Sequence, residues 1–189
     1  NVDAVSLILN LRSKSQPVIF PMTNSGYGIG EEGVLCTEES PLRPLSLYGR
    51  LKVETEKILL DQGEAITLRF ATAFGVSPRM RLDLLVNDFV YRAVVDGVVV
   101  VFEGHFKRNY LHVSDAGRAF IHCLKNFPQM KNHTYNVGLS SANLSKLELC
   151  EEIKKFLPRF VFIESAVGED QDKRNYIVSN AKIEASGFK

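Results

Sequence analysis

Val18-Ile19-Phe20, the stretch from Tyr48 to about Asp61, and Ala65 to Ala71, taken in that order, decide the fold. The first is a short apolar run of the kind that forms a buried strand, and Gln16-Pro17 separates it from what precedes. The second is a helical pattern with Leu51, Ile58, Leu59 and Leu60 as its apolar positions. Pro41 and Pro44 lie ahead of it, and Gln62-Gly63 stops it. The third, with Ile66, Leu68 and Phe70, reads as another strand. Strand, helix and strand in alternation predict an α/β fold built on a parallel sheet.

Upstream, Val5, Ile8 and Leu9 at i, i+3, i+4 spacing predict a helix over Ala4 to Ser13. Downstream of Gly75 the rhythm changes. A helix is expected from about Leu82 to Val95, then a β-branched strand Val98 to Phe102 after Gly97. Tyr110-Leu111-His112-Val113 reads as a short strand, with Ser114 and Asp115 as the N-cap of a helix from Ala116 to Lys125. Thr134 to Gly138 is a further strand, and Ser145 and Glu148 have capping-box spacing at the head of another helix.

The bulk properties of the 189 residues exclude more than they assign. Hydrophobic residues make up 45% and charged residues 24%, and the formal net charge is +1. That balance gives no reason to expect a nucleic-acid partner or a membrane partner. No apolar run approaches the roughly 20 residues needed to span a bilayer, and the first residues lack the features of a signal peptide. Cys36, Cys123 and Cys150 are few, far apart and odd in number. They read as reduced thiols of a cytoplasmic protein rather than a disulfide framework. The histidines show no metal-ligand or triad pattern, so no metal is expected.

The strongest chemical signal is Tyr48-Gly49-Arg50-Leu51-Lys52. Positions i and i+4 share a helix face, so the Lys52 ammonium is expected near the Tyr48 phenol. A neighbouring positive charge favours phenolate and would lower the tyrosine pKa, making Tyr48 a proton acceptor near neutral pH. Alone, a Tyr-x-x-x-Lys match is a weak motif. However, Thr23-Asn24-Ser25-Gly26-Tyr27-Gly28 follows the first strand, with Thr23 placed 25 residues before Tyr48 (48 − 23). A hydroxyl at a strand end and a tyrosine on the next helix would face the crevice where parallel sheets bind ligands.

With these two blocks the sequence resembles the extended short-chain dehydrogenases, which include UDP-glucose 4-epimerases and sugar-nucleotide dehydratases. Leu68-Arg69-Phe70-Ala71-Thr72-Ala73-Phe74-Gly75, Arg108-Asn109-Tyr110-Leu111-His112-Val113-Ser114-Asp115 and Tyr135-Asn136-Val137-Gly138 are similar to further segments of that family, in the same order. The resemblance implies a partial doubly wound, Rossmann-like parallel sheet with a smaller α/β substrate domain. Residues 1–75 and 108–138 would belong to the NAD-binding domain, and 76–107 and 139–189 to the part that binds a nucleotide sugar. It implies NAD as cofactor, a nucleotide-sugar substrate and a homodimer at full length. Thr23, Tyr48 and Lys52 would be catalytic, with Tyr48 as general base and Lys52 also on the nicotinamide ribose. Phe70 and Ala73 would face the nicotinamide. Thr72, Asn87, Phe102, Arg108 and Arg174 would contact substrate, Arg108 and Arg174 at the diphosphate, where guanidinium suits phosphate geometry. His112 reads as structural.

Three departures shape the expected reaction. Gly28-Ile29-Gly30-Glu31-Glu32-Gly33 spells a dinucleotide-loop string, but Val34-Leu35-Cys36-Thr37 does not open a helix and two glutamates would repel a pyrophosphate. The resemblance therefore puts the true glycine loop in about a hundred N-terminal residues not found here, and a chain lacking them is expected to bind NAD poorly. Second, the family's dehydratases carry a Glu, often preceded by Asp, just after the Thr. Here Asn24 and Ser25 occupy those positions and supply no carboxyl group. Third, Thr72 stands where many epimerases have Asn. Oxidation and re-reduction at C4 is the chemistry that fits. A one-way 4-ketoreductase and a non-catalytic dinucleotide-sensing or interaction module are the rival readings.

Overall fold

The computed structural model describes residues 2–169 and 172–189. Helix α1 (Val2–Leu11) precedes strand β1 (Val18–Thr23), which runs directly into a 3-10 turn at Asn24–Tyr27. The two-residue β2 (Leu35–Cys36), the long α2 (Leu47–Gln62), β3 (Ala65–Phe70) and β4 (Thr72–Phe74) follow. Next come α3 (Leu85–Val95), β5 (Val98–Phe102), β6 (Lys107–His112), α4 (Val113–Lys125), the single turn α5 (Phe127–Met130) and β7 (His133–Val137). The remaining elements are β8 (Asn143–Ser145), α6 (Lys146–Phe156), β9 (Val161–Ser165), β10 (Ile177–Val178) and α7 (Ala181–Ala185).

The expected parallel sheet is present, in the order β1-β3-β7. Thr23 lies opposite Phe70, and Phe70 opposite Val137, so all three strands end along one edge. Ile66, Leu68, Leu111, Cys123, Val137 and Ile183 are fully buried around this sheet. A second core gathers Val86, Phe89, Val99, Val101, Cys150 and Phe160 among α3, α6 and the parallel pair β5-β9. Between them, β6 pairs parallel with β4 and antiparallel with β8.

Local chemistry explains where α2 starts and stops. The Ser46 hydroxyl accepts a hydrogen bond from Gly49 N at 3.0 Å, satisfying one of the donors left open in a first helical turn. Gly63, at φ 75°, ends the helix in a conformation that costs other residues more. At α6 the capping box is complete: Glu148 N donates to Ser145 Oγ at 3.1 Å, and Ser145 N to Glu148 Oε2 at 2.6 Å. The cap expected at Ser114 and Asp115 is not formed. Strand β6 passes straight into α4, and the acceptor is the ring Nδ1 of His112, 3.3 Å from Ser114 N. No helix follows Gly28–Gly33: Val34 leads into β2, as expected for Val34-Leu35-Cys36-Thr37.

Candidate active site

Beyond the carboxyl edge of β1 and β3 lies a cleft of about 1020 Å³. Thr23 reaches it from the end of β1, Phe70, Thr72 and Ala73 from the end of β3 and the start of β4, and Tyr48 and Lys52 from the first turns of α2. Arg174 closes one side. Seven of the residues singled out from sequence therefore share one cavity. The volume matches the upper end of ordinary small-molecule sites.

Three do not line it. Phe102 borders a separate cavity of about 660 Å³ beside α3 and β5. Asn87 is buried, its Oδ1 accepting from Gly75 N at 3.1 Å and its Nδ2 donating to the Arg81 carbonyl at 3.0 Å. Those bonds fix the bend after β4. The Arg108 guanidinium is buried, donating to the Asp172 carbonyl at 3.1 Å and pairing with its carboxylate at 3.1 Å. It also faces the Tyr176 ring at 5.7 Å. Arg108 thus sits behind a cleft wall formed by Asp172, Arg174 and Tyr176.

The hydroxyls near the reacting position are ordered. Ser25 N donates to Thr23 Oγ1 at 3.1 Å, and Thr23 Oγ1 donates to Ser25 Oγ at 3.0 Å. Arg174 Nη1 also donates to Ser25 Oγ, while its Nε donates to Asp172 Oδ1 at 2.7 Å. Gly49 matters sterically: a Cβ there would lie 2.9 Å from Pro44 Cβ, so a larger residue would push the first turn of α2 off this wall.

The electrostatics differ from the sequence expectation for Tyr48 and Lys52. The Lys52 ammonium donates to the Pro21 carbonyl at 2.8 Å and lies 4.3 Å from the centre of the Phe20 ring. The Tyr48 ring centre is farther, at 5.9 Å. Burial raises the Tyr48 pKa, and the cation that opposes this is Arg174 rather than Lys52. Burial also lowers the Lys52 pKa. The expected depression of the Tyr48 pKa by Lys52 is therefore not seen. Sharing a helix face sets the direction of a lysine stem, and the flexible head follows the nearest carbonyl. Asp172 is the acidic group of the cleft wall. Burial would raise its pKa, but hydrogen bonds from Arg174 and the charges of Arg108 and Arg174 prevail and set it at about 2.

Sequence reasoning did not find Asp172, Tyr176, Arg81 or Leu84, which also line the cleft. No local pattern signals them; the fold brings Arg174 to Ser25 across 149 residues. All three cysteines are free and buried. Among the described residues, no helix is long and apolar enough to cross a membrane.

Comparison with known proteins shows the family. The pattern of the NAD dependent epimerase/dehydratase family matches residues 1–138, and the chain belongs to that family. It is 27% identical over 179 residues to the uncharacterized UDP-glucose epimerase YtcB of Bacillus subtilis (strain 168), covering 89% of this chain and 55% of that protein. The chain thus spans about half the length of that relative. The NAD-bound dTDP-glucose 4,6-dehydratase of Bacillus anthracis shares the fold with a TM-score of 0.78 at 21% identity, over 98% of this chain and 59% of that one. The NAD-bound UDP-glucose 4-epimerase of Thermus thermophilus does so with a TM-score of 0.76 at 22% identity, over 92% and 58%. At such identities the likeness speaks for the fold, which epimerase and dehydratase share.

Proposed function

We propose that the protein is an NAD-dependent nucleotide-sugar 4-epimerase acting on a UDP- or dTDP-type sugar. The observation that carries this reading is a cleft holding Thr23, Tyr48 and Lys52 together, with no carboxyl group among its described residues able to trade protons near neutral pH. Asn24 and Ser25 have none, and Asp172, at about 2, stays ionised. A dehydratase must move a proton at the carbon next to the keto group, and a general acid or base suits that work best with a pKa near the working pH. Oxidation and re-reduction at one carbon needs only the hydroxyl proton handled.

In this reading Tyr48 takes the C4 hydroxyl proton and returns it after the keto sugar has turned over. Thr23 holds the same oxygen in line. The dinucleotide fits the donor set on the α2 side: the Lys52 ammonium would hold ribose hydroxyls, and the backbone from Phe70 to Ala73 would face the nicotinamide. When bound, NAD supplies a hydride acceptor that gives the hydride back. We assign residues 1–75 and 108–138 to the NAD side of the cleft, and 76–107 and 139–189 to the nucleotide-sugar side. Thr72, Asn87, Phe102, Arg108 and Arg174 remain the proposed substrate-binding residues: Thr72 and Arg174 would touch the substrate from the cleft, Asn87 and Arg108 would act from behind its wall, and Phe102 would contribute from the neighbouring cavity.

The raised Tyr48 pKa favours a second reading, since a tyrosine that rests protonated suits a one-way 4-ketoreductase. One assay separates the two. UDP- and dTDP-hexoses are incubated with the protein and NAD, the corresponding 4-keto sugars with the reduced cofactor, and the products are analysed. The 4-epimer without net cofactor consumption supports the epimerase. Stoichiometric loss of reduced cofactor supports the ketoreductase, and a 4-keto-6-deoxy sugar overturns both.

A further inference from the structure

Beneath the cleft runs a buried chain of charged and polar groups that the proposed reaction does not use. Glu56 lies on α2 one helical turn beyond Lys52 and two beyond Tyr48, and Arg69 lies on β3. Both are buried, and Arg69 Nη2 donates to Glu56 Oε1 at 2.7 Å. Arg69 Nε donates to the same carboxylate at 3.2 Å, and the Thr67 hydroxyl adds a bond to Glu56 Oε2 at 3.0 Å. The other guanidinium nitrogen, Nη1, donates to the Tyr27 hydroxyl at 3.0 Å and the Glu38 carbonyl at 3.1 Å. Tyr27 in turn bonds Asn136 Oδ1 at 2.6 Å and the Thr37 carbonyl at 2.9 Å. Tyr27 is the last residue of the 3-10 turn that begins just after Thr23 and carries Ser25.

The chain therefore joins the helix that presents Tyr48 and Lys52 to the turn that presents Thr23 and Ser25. Glu56 is a residue of α2, Thr67 and Arg69 of β3, and Tyr27 of the 3-10 turn, and the guanidinium between them is a rigid planar fork. A buried ion pair contributes little net stability compared with apolar packing, but it penalises every arrangement in which its partners separate. Such a linkage suits fixing one geometry better than adding stability. We propose that Glu56, Arg69 and Tyr27 are positioning residues that set α2 against the Thr23–Tyr27 turn and so fix Tyr48 relative to Ser25 and Arg174. The proposal rests on the catalytic reading only for why that geometry matters.

The test needs neither cofactor nor sugar, so its failure is separable from failure of the epimerase reading. Tyrosine labelled with carbon-13 at Cζ reports the titration of each phenol by NMR, and the Tyr48 signal is assigned with Tyr48→Phe. Tyr27→Phe removes one hydroxyl and keeps the ring; Glu56→Gln keeps the shape and removes the charge. Ile153→Val, in the second core, controls for general destabilisation. The proposal expects the Tyr48 titration midpoint to move in Tyr27→Phe, and in Glu56→Gln where that variant folds, with the Ile153→Val midpoint as in wild type. An unchanged Tyr48 midpoint in a folded Tyr27→Phe protein overturns it. So does an equal movement in the Ile153→Val control.

Discussion

Replacing Glu56 and Arg69 by methionine, singly and together, measures how tightly the buried pair couples α2 to β3. Their side chains are only 5% and 6% exposed, and the closest N–O separation is 2.7 Å. Either single change leaves an uncompensated charge inside the core, which typically costs about 3–5 kcal/mol. For a chain of this size 1 kcal/mol moves the melting temperature by about 2–4 °C, so each single variant should melt about 6–20 °C lower. The double variant removes both charges together. What it still loses are the bonds from Thr67, to the Tyr27 hydroxyl and to the Glu38 carbonyl, each worth about 1 kcal/mol. It should therefore be no less stable than either single variant, with a coupling of about 3 kcal/mol between the two sites. Urea and thermal unfolding followed by circular dichroism give all four free energies. Additive single effects, or melting shifts below about 2 °C, would refute the reasoning.

Three other outcomes follow from named contacts. Asp172 has a folded-state pKa of about 2, below its ordinary 3.8, so its stabilising contribution is present above the ordinary value and lost as pH falls through the folded one. Asp172→Asn should therefore lower the melting temperature at neutral pH, and the two proteins should converge toward pH 2. A Cβ on Gly138 would lie 1.7 Å from Asn109 Oδ1, in a buried amide whose Nδ2 donates to the Leu139 carbonyl at 2.7 Å. Gly138→Ala should cost at least the roughly 1–3 kcal/mol of ordinary overpacking, read as a lower urea midpoint. Arg174→Met removes the cation that opposes the burial of Tyr48, so the Tyr48 phenol should titrate at higher pH by NMR; a downward movement would contradict the assignment of that charge.

What could be seen in the sequence was what depends on neighbours along the chain. The apolar runs at 18–20 and 65–71 and the helical spacing at 48–61 are local signals, and β1, α2 and β3 form there. The capping box at Ser145 and Glu148 is a three-residue pattern and is present. The cap of α4 was misplaced because its acceptor is a strand residue, His112, a choice fixed by how β6 joins the helix. Tyr48 and Lys52 share the cleft as their spacing requires, but spacing could not say that the ammonium would go to the Pro21 carbonyl. Nor could it say that Arg174 would become the cation acting on the phenol. Phe102 sits on a strand whose residues alternate between exposed and buried, and sequence position alone did not reveal that its side borders a different cavity.

Turnover in deuterium oxide tests the proposed chemistry most directly. An epimerase that removes the C4 hydrogen as hydride and returns the same hydride exchanges only the hydroxyl proton carried by Tyr48, and hydroxyl deuterium washes out in ordinary water. The proposed mechanism predicts a 4-epimer whose carbon-bound hydrogens are all protium by mass spectrometry, formed at a rate that Tyr48→Phe lowers by about 10²–10⁴-fold. Deuterium fixed on carbon, or a product lighter by one water, would contradict it.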